Sequence, residues 1–407
     1  MYKPDGGCSK EPRHAFNPRA RALFVPLLGL AALLLFARPA MAGNGGAAGM
    51  QILKYDISPR ALGMGGAYTA VADDIYSVNY NPAGLGQLHF PEISSMYLSG
   101  FEDTLVYNTA IGMPLPIKGL GNGLSKPVAG LSLLTSDAGS FTRRTINDDG
   151  TVTSGSYDAQ NDLALTFSYG EQVYSGEVGF FEWYKPTLNQ YFGLNAKYLR
   201  STMLEEYTAS GAALDIGWLV MDPQHGLSFG LSYANFLASK FSYVSENTKL
   251  PAILRLGLSY QHATLMDQAI ILAADGDFYT NEGSNSLRLG AEYHFEKIFN
   301  LRLGYRSEED NPGITLGLGV RYNDVSLDVG VGAGGEIYNT SQVSFSYKFS
   351  GIKVKQYDRR PNYRNMEPER SDRPSPAPKK ASPRKPEPKP VPDTPEKKKD
   401  SDFFLIF

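Results

Sequence analysis

From about residue 91 to residue 349 the chain is written in period two, and this restricts its fold more than any other feature. Leu287, Leu289, Ala291, Tyr293 and Phe295 alternate with Arg288, Gly290, Glu292 and His294. Leu301, Leu303 and Tyr305 alternate with Arg302, Gly304 and Arg306. Leu316, Leu318, Val320 and Tyr322 alternate with Gly317, Gly319 and Arg321, and Val325, Leu327, Val329 and Val331 with Ser326, Asp328 and Gly330. Successive side chains of a strand point to opposite faces, so each segment is a strand with one apolar and one polar face. Fourteen strands are predicted, at 92–101, 104–114, 127–136, 159–170, 189–201, 208–220, 226–234, 251–261, 269–278, 286–296, 299–306, 313–322, 324–332 and 340–349. Alternation is poorest over 92–101 and 269–278.

A soluble sandwich also alternates, but three features favour a membrane. A sandwich has about seven short strands, whereas most of these segments approach the roughly 9–11 residues of a tilted spanning strand. Aromatic residues tend to end the apolar face, at Tyr169, Tyr198, Tyr233, Tyr260, Tyr293, Tyr322 and Phe349, as interfacial girdles require. Connectors in the C-terminal half alternate in length. Long ones (235–250, 279–285, 307–312, 333–339) follow short ones (221–225, 297–298, 323), while 171–188 is long on the short side. The expectation is an all-β protein, a transmembrane antiparallel β-barrel of about 14 strands over 92–349 with both ends facing the periplasm.

Composition agrees. The chain has 42 glycines, 25 tyrosines and 21 phenylalanines but two tryptophans. Its mean hydropathy of −0.27 fits strands that alternate their faces. Arg19 and Arg21 precede an apolar run from Ala22 to Phe36, followed by Ala40-Met41-Ala42. This reads as a signal peptide over 1–42, too short in its apolar part for the roughly 20 residues of a spanning helix. Cys8, the only cysteine, would leave with it, so the mature chain has no disulfide, thiolate metal site or cysteine nucleophile. Of 39 Lys/Arg, 6 lie in 1–42 and 15 in 350–407; of 42 Asp/Glu, 2 and 9 lie there. The remaining body holds 18 basic and 31 acidic residues, a net of −13. An acidic body with a basic tail argues against nucleic acid as a partner. The tail, 350–407, interleaves proline with Lys and Glu and ends in Phe403-Phe404-Leu405-Ile406-Phe407. It is expected to be a disordered periplasmic tether with an apolar end and a partner there.

Between signal and barrel, 43–91 lacks alternation and carries the strongest local motif. It runs Ala61-Leu62-Gly63-Met64-Gly65-Gly66-Ala67-Tyr68-Thr69-Ala70-Val71-Ala72-Asp73-Asp74 and closes on Tyr80-Asn81-Pro82-Ala83-Gly84-Leu85. Gly63, Gly65 and Gly66 permit tight or positive-φ backbone, and Asn81-Pro82 sets a turn with Asn81 extended. The segment is expected to plug the barrel as a hatch, either filling it or gating it.

This passage resembles the PorV/PorQ family of outer-membrane proteins and, more distantly, FadL-type transporters of hydrophobic compounds. The resemblance is strongest over 60–90 and continues through Leu250-Pro251, Leu254-Arg255-Leu256-Gly257 and the strand starting at Tyr191. It implies a 14-stranded barrel in the bacterial outer membrane with Asn81, Pro82 and Ala83 in an internal hatch. The PorV branch implies a role in type IX secretion with exported proteins or secretion components as partners. The FadL branch, the alternative, implies passage of a hydrophobic small molecule. The motif does not choose between them.

The inward charges Lys197, Asp215, Arg255, Arg288, Glu292, Arg302, Arg306, Arg321, Asp328 and Lys348 are expected to pair plug with wall or to line a solute path. Gly226-Leu227-Ser228-Phe229-Gly230 matches a serine-hydrolase elbow, but Leu231 and Tyr233 continue a strand where a helix is required. Gly330 to Gly335 fits a dinucleotide fingerprint with no helix after it and reads as a loop start. His89, His225, His262 and His294 have no metal-ligand spacing. Neither an enzyme nor a cofactor is expected.

Overall fold

The computed structural model describes residues 48–351, apart from 101–103, 122, 180–184, 245–246, 264–267, 308–312 and 335–337. The expected signal peptide lies outside the described residues, as does the expected tail beyond its first two residues.

Sixteen strands form among the described residues. They are β1 (Glu92–Ser99), β2 (Leu105–Pro114), β3 (Val128–Asp137), β4 (Ser140–Ile146), β5 (Val152–Asp158), β6 (Gln160–Glu177), β7 (Thr187–Met203) and β8 (Tyr207–Asp222). Then come β9 (Leu227–Ala238), β10 (Ile253–Ala263), β11 (Ala269–Tyr279), β12 (Asn285–Phe295), β13 (Phe299–Ser307), β14 (Gly313–Tyr322), β15 (Val325–Gly334) and β16 (Tyr338–Lys348). All but β4 and β5 close a single barrel of 14 strands, each antiparallel to its neighbours. β16 pairs with β1 from Glu92↔Lys348 to Ser99↔Ser341, so no sheet edge is left for lipid to solvate.

The outward face is the apolar one. Leu303 is 55% exposed, whereas Arg302 beside it is 5% exposed. An exposed band of Leu, Ile, Val and Tyr around a closed barrel is a surface suited to hydrocarbon.

Two expectations need correction. The stretch 137–158, read as a connector, contains the hairpin β4–β5, a separate two-stranded sheet with nearly all side chains exposed. The stretch 171–188, read as a long loop, is largely strand, because β6 and β7 run to 18 and 17 residues and pair to Glu177↔Thr187 across a bulge at Gln172/Tyr174. Similarly, β15 continues through Gly334, past the point where a loop was expected to start.

Interior width grows with strand number, and well beyond eight strands the wall's own side chains no longer fill it. Residues 48–91 fill it here. They begin at the far end of the barrel, opposite the end where β1 starts, with the Gly49 amide donating to the Lys249 carbonyl (2.8 Å). Short helical turns follow at Gln51–Lys54, Pro59–Gly63, Ser77–Tyr80 and Pro82–Gln87. Ser58 caps the second, with Pro59 at the first helical position where its missing N–H costs nothing. Asn81 is extended before Pro82, and its side chain accepts from the Ala83 amide. Gly65 and Gly66 turn the chain at φ 66° and 83°.

Candidate functional site

The luminal segment rests on a belt of inward glycines. Gly170, Gly193 and Gly217 are cross-strand neighbours, as are Gly230 and Gly257, Gly290 and Gly304, and Gly317 and Gly330. Lack of a Cβ is what admits the inner backbone. A Cβ built at Gly170 would come within 2.7 Å of the Pro82 carbonyl oxygen, and one at Gly330 within 2.6 Å of the Pro59 carbonyl oxygen. At Gly304 it would overlap Gly65, and at Gly193 Pro82.

Two charge layers flank the belt on β12 and β13, whose inward tracks read Arg288-Gly290-Glu292 and Arg302-Gly304-Arg306. Met64 and Gly65 pass over the glycines between them. In one layer Arg60 of the luminal segment donates to Glu292 through Nε (3.1 Å) and Nη2 (2.8 Å), and through Nη1 to Asp73 and Asp74. Glu292 also accepts from Arg302 Nε (2.8 Å), whose Nη1 reaches Asp328 (2.7 Å). The other layer reverses the signs. Asp56 of the luminal segment accepts from Arg288 (2.7 Å) and Arg306 (3.1 Å). Asp277 lies 3.1 Å from Arg288 Nε and 3.5 Å from Arg255 Nε. Burial alone would raise the Asp56 carboxyl; Arg288 and Arg306 outweigh it and hold it below the usual carboxylate range. Arg60 likewise holds the half-exposed Asp73 carboxyl below the usual range.

Hydrogen bonds complete the lock. Asn81 Nδ2 donates to the carbonyls of Thr69 (2.9 Å) and Trp218 (3.2 Å), and Asp275 accepts from the amides of Tyr68 and Thr69 (2.8 and 2.7 Å).

The opposite side of the lumen is different in kind. At its far end, Met96 and Leu98 of β1, Val106 of β2, Leu134 of β3, Ala164 of β6, Leu199 of β7 and Ala209 of β8 are all buried in one apolar cluster. Met50, Ile52 and Ile57 of the luminal segment pack into it, and Phe241 and Leu250 close it from the connector 239–252.

Of the residues singled out in the sequence, Gly63, Gly65, Gly66, Asp73, Asp74, Asn81, Pro82 and Ala83 all lie in the luminal segment, and Arg255, Arg288, Glu292, Arg302, Arg306 and Asp328 meet at its contact with β10–β15. Arg321 does not join them. It keeps the inward parity of β14 but sits at the rim, exposed, with Nε donating to Ser326 (3.3 Å). Lys197 pairs with Asp215 (2.7 Å), and Lys348 with Glu92 (3.5 Å). Asp56, Arg60, Asp275 and Asp277 were missed. Asp275 and Asp277 were masked by the poor alternation of 269–278, where Ile271 and Ala273 put apolar side chains on the same inward face.

No protein-family model matches the chain, and no curated protein matches its sequence. Solved structures resemble it in shape. The toluene transporter TbuX of Ralstonia pickettii is 12% identical with a TM-score of 0.47, over 72% of this chain and 98% of its own. The toluene transporter TodX of Pseudomonas putida gives 12% and 0.47, over 72% and 97%. A Pseudomonas aeruginosa FadL homologue gives 9% and 0.39, over 72% and 98%. The fold of this chain stands on its own strand pairing.

Proposed function

We propose that this chain is an outer-membrane barrel that passes a hydrophobic small molecule, with the far end outward and the start of β1 and the end of β16 on the periplasmic side. The observation that carries this is the apolar sector. A barrel lumen is normally polar, yet Met96, Leu98, Val106, Leu134 and Leu199 point inward. Apolar side chains converging with a few polar groups make a solute site. The named neighbours include toluene transporters and a FadL homologue, which is in keeping with this reading although it rests on the sector. The secretion reading attached to the PorV resemblance gives the sector no use, so passage of a solute is preferred to the escort of exported proteins. Nothing in the arrangement calls for catalysis.

The test is uptake. Cells lacking the gene should take up apolar solutes such as alkanes or alkylbenzenes more slowly, and the full-length protein should restore the rate. Unchanged uptake across that panel, with loss of surface-exposed secreted proteins instead, would return the secretion reading.

A further inference from the structure

Ten buried carboxylates face the barrel interior or its rims among the described residues, and nine of them pair with a cationic side chain or accept from a backbone amide. Asp56, Glu92, Asp215, Asp277, Glu282 and Glu292 pair with Lys or Arg, and Asp222 with His225. Asp275 and Glu171 accept from backbone N–H groups. Asp162 is the exception. It is 6% exposed, and both its oxygens accept only from the side-chain amide of Gln160 (2.9 and 3.1 Å). A buried carboxylate without a counter-charge is expensive, and an ionisable group at membrane depth marks a function whose partner has to be named.

Its place supplies the partner's chemistry. Asp162 lies between Ser136 and Ser201 in the wall, one inward step from Ala164 and beside Leu199, both in the apolar cluster. Gln160 also donates to Ser201 (3.3 Å), and so does the Tyr243 hydroxyl (2.7 Å). Tyr243 packs on the cluster and stands edge-on to Phe241 at 5.6 Å. A carboxylate, two aromatic rings and an apolar wall together form a receptor for a cation with an apolar body. A carboxylate-headed solute would meet like charge there.

We propose that the apolar sector takes an amphipathic amine, its ammonium on Asp162 and its hydrocarbon or aromatic body along Leu199, Ala164 and Leu134. This rests on the transport reading and names its substrate class. The probes are octylamine, octanol and octanoate at pH 7, titrated into the full-length protein in phosphatidylcholine nanodiscs with empty discs subtracted. Octylamine should bind about tenfold or more tighter than octanol, the difference a charge-assisted contact makes, with octanoate weakest. Asp162→Asn should erase the amine's advantage and leave octanol unchanged, which also reports that the sector is intact. Octylamine no tighter than octanol in the wild type, or an advantage that survives Asp162→Asn, overturns the proposal and leaves a neutral-solute transporter. If Asp162→Asn does not fold, the wild-type ranking decides alone. If none of the three probes binds, the transport reading falls first and this one with it.

Discussion

The two sides of the lumen hold the same inner segment by opposite means. Along β10–β15 it is fixed by reciprocal ion pairs: a luminal guanidinium, Arg60, on the wall carboxylate of Glu292, and a luminal carboxylate, Asp56, between wall guanidiniums at Arg288 and Arg306. Along β1–β8 at the far end it is held chiefly by apolar contact, through Met50, Ile52 and Ile57, with no ion pair to those strands among the described residues. Ion pairs in a buried setting need exact partners and tolerate little displacement. Apolar contacts are non-directional and re-form around a different shape. The ionic side is therefore a fixed anchor, and the apolar side is where a solute can replace protein without leaving a charge stranded.

The sharpest way to break this contrast is to remove the glycine belt that both sides share. Gly304→Val and Gly193→Leu each drive side-chain atoms into the inner backbone, at Gly65 and Pro82 respectively. The luminal segment should be expelled, turning a closed barrel into an open one, and single-channel conductance in planar bilayers should rise from near baseline to porin-like steps. Baseline conductance in both variants would mean the segment finds another seat, and the belt is not what positions it.

Next in size is the anchor. Arg60→Met leaves Glu292 and Asp73 facing each other's charge without their shared cation, and breaking one side of a buried pair costs about 3–5 kcal/mol. Native-state hydrogen exchange of amides 61–72 should show opening easier by about that amount. Asp73→Asn should cost far less, about 1 kcal/mol at most, because its side chain is 45% exposed and screened. Equal effects from the two would place the anchor outside the Arg60–Glu292 pair.

Acid titrates the same anchor without a mutation. Asp56 and Asp73 both have folded-state values below the 3.8 of a free aspartate. A depressed value means the stabilisation is complete above the unfolded value and is lost as pH falls through the folded one. Exchange protection over 56–74 should be flat from pH 7 to pH 5 and should drop only below about pH 4. A loss of protection centred near pH 6 would assign the lock to other groups.

The same contrast governs what was legible in the sequence. Period-two alternation revealed β12–β16 clearly because their inward positions are Arg, Gly, Glu and Ser against outward Leu, Val and Tyr. It was weak at 92–101 for the reason that matters most: Met96 and Leu98 point inward while Ser95 and Ser99 point outward, so both faces are mixed and the periodicity disappears where the solute sector lies. Arg60 and Asp56 sit in a segment with no regular period, and pattern alone gave them no orientation. The hairpin β4–β5 was hidden because nearly every side chain in it is exposed, which removes the face difference that alternation detects.

The smallest predicted effect is the one that separates the two sides most cleanly. Val106 is fully buried in the apolar sector, and Val106→Thr keeps its shape while exchanging a methyl for a hydroxyl. A hydroxyl in an apolar setting costs roughly 1–3 kcal/mol unless it finds a partner, and a β-branched threonine in a strand has neighbouring carbonyls within reach. The net penalty should fall near the bottom of that range, so the affinity of an apolar probe such as octanol should drop less than about tenfold. The anchor shares no side chain with Val106. Exchange protection of amides 61–72, its acid midpoint and the channel's baseline conductance should all match the wild type. If Val106→Thr instead loosens amides 61–72 by as much as it weakens octanol binding, the two sides form one cooperative unit. A solute entering the apolar sector would then release the ionic anchor, and the description of one fixed side and one yielding side would be wrong.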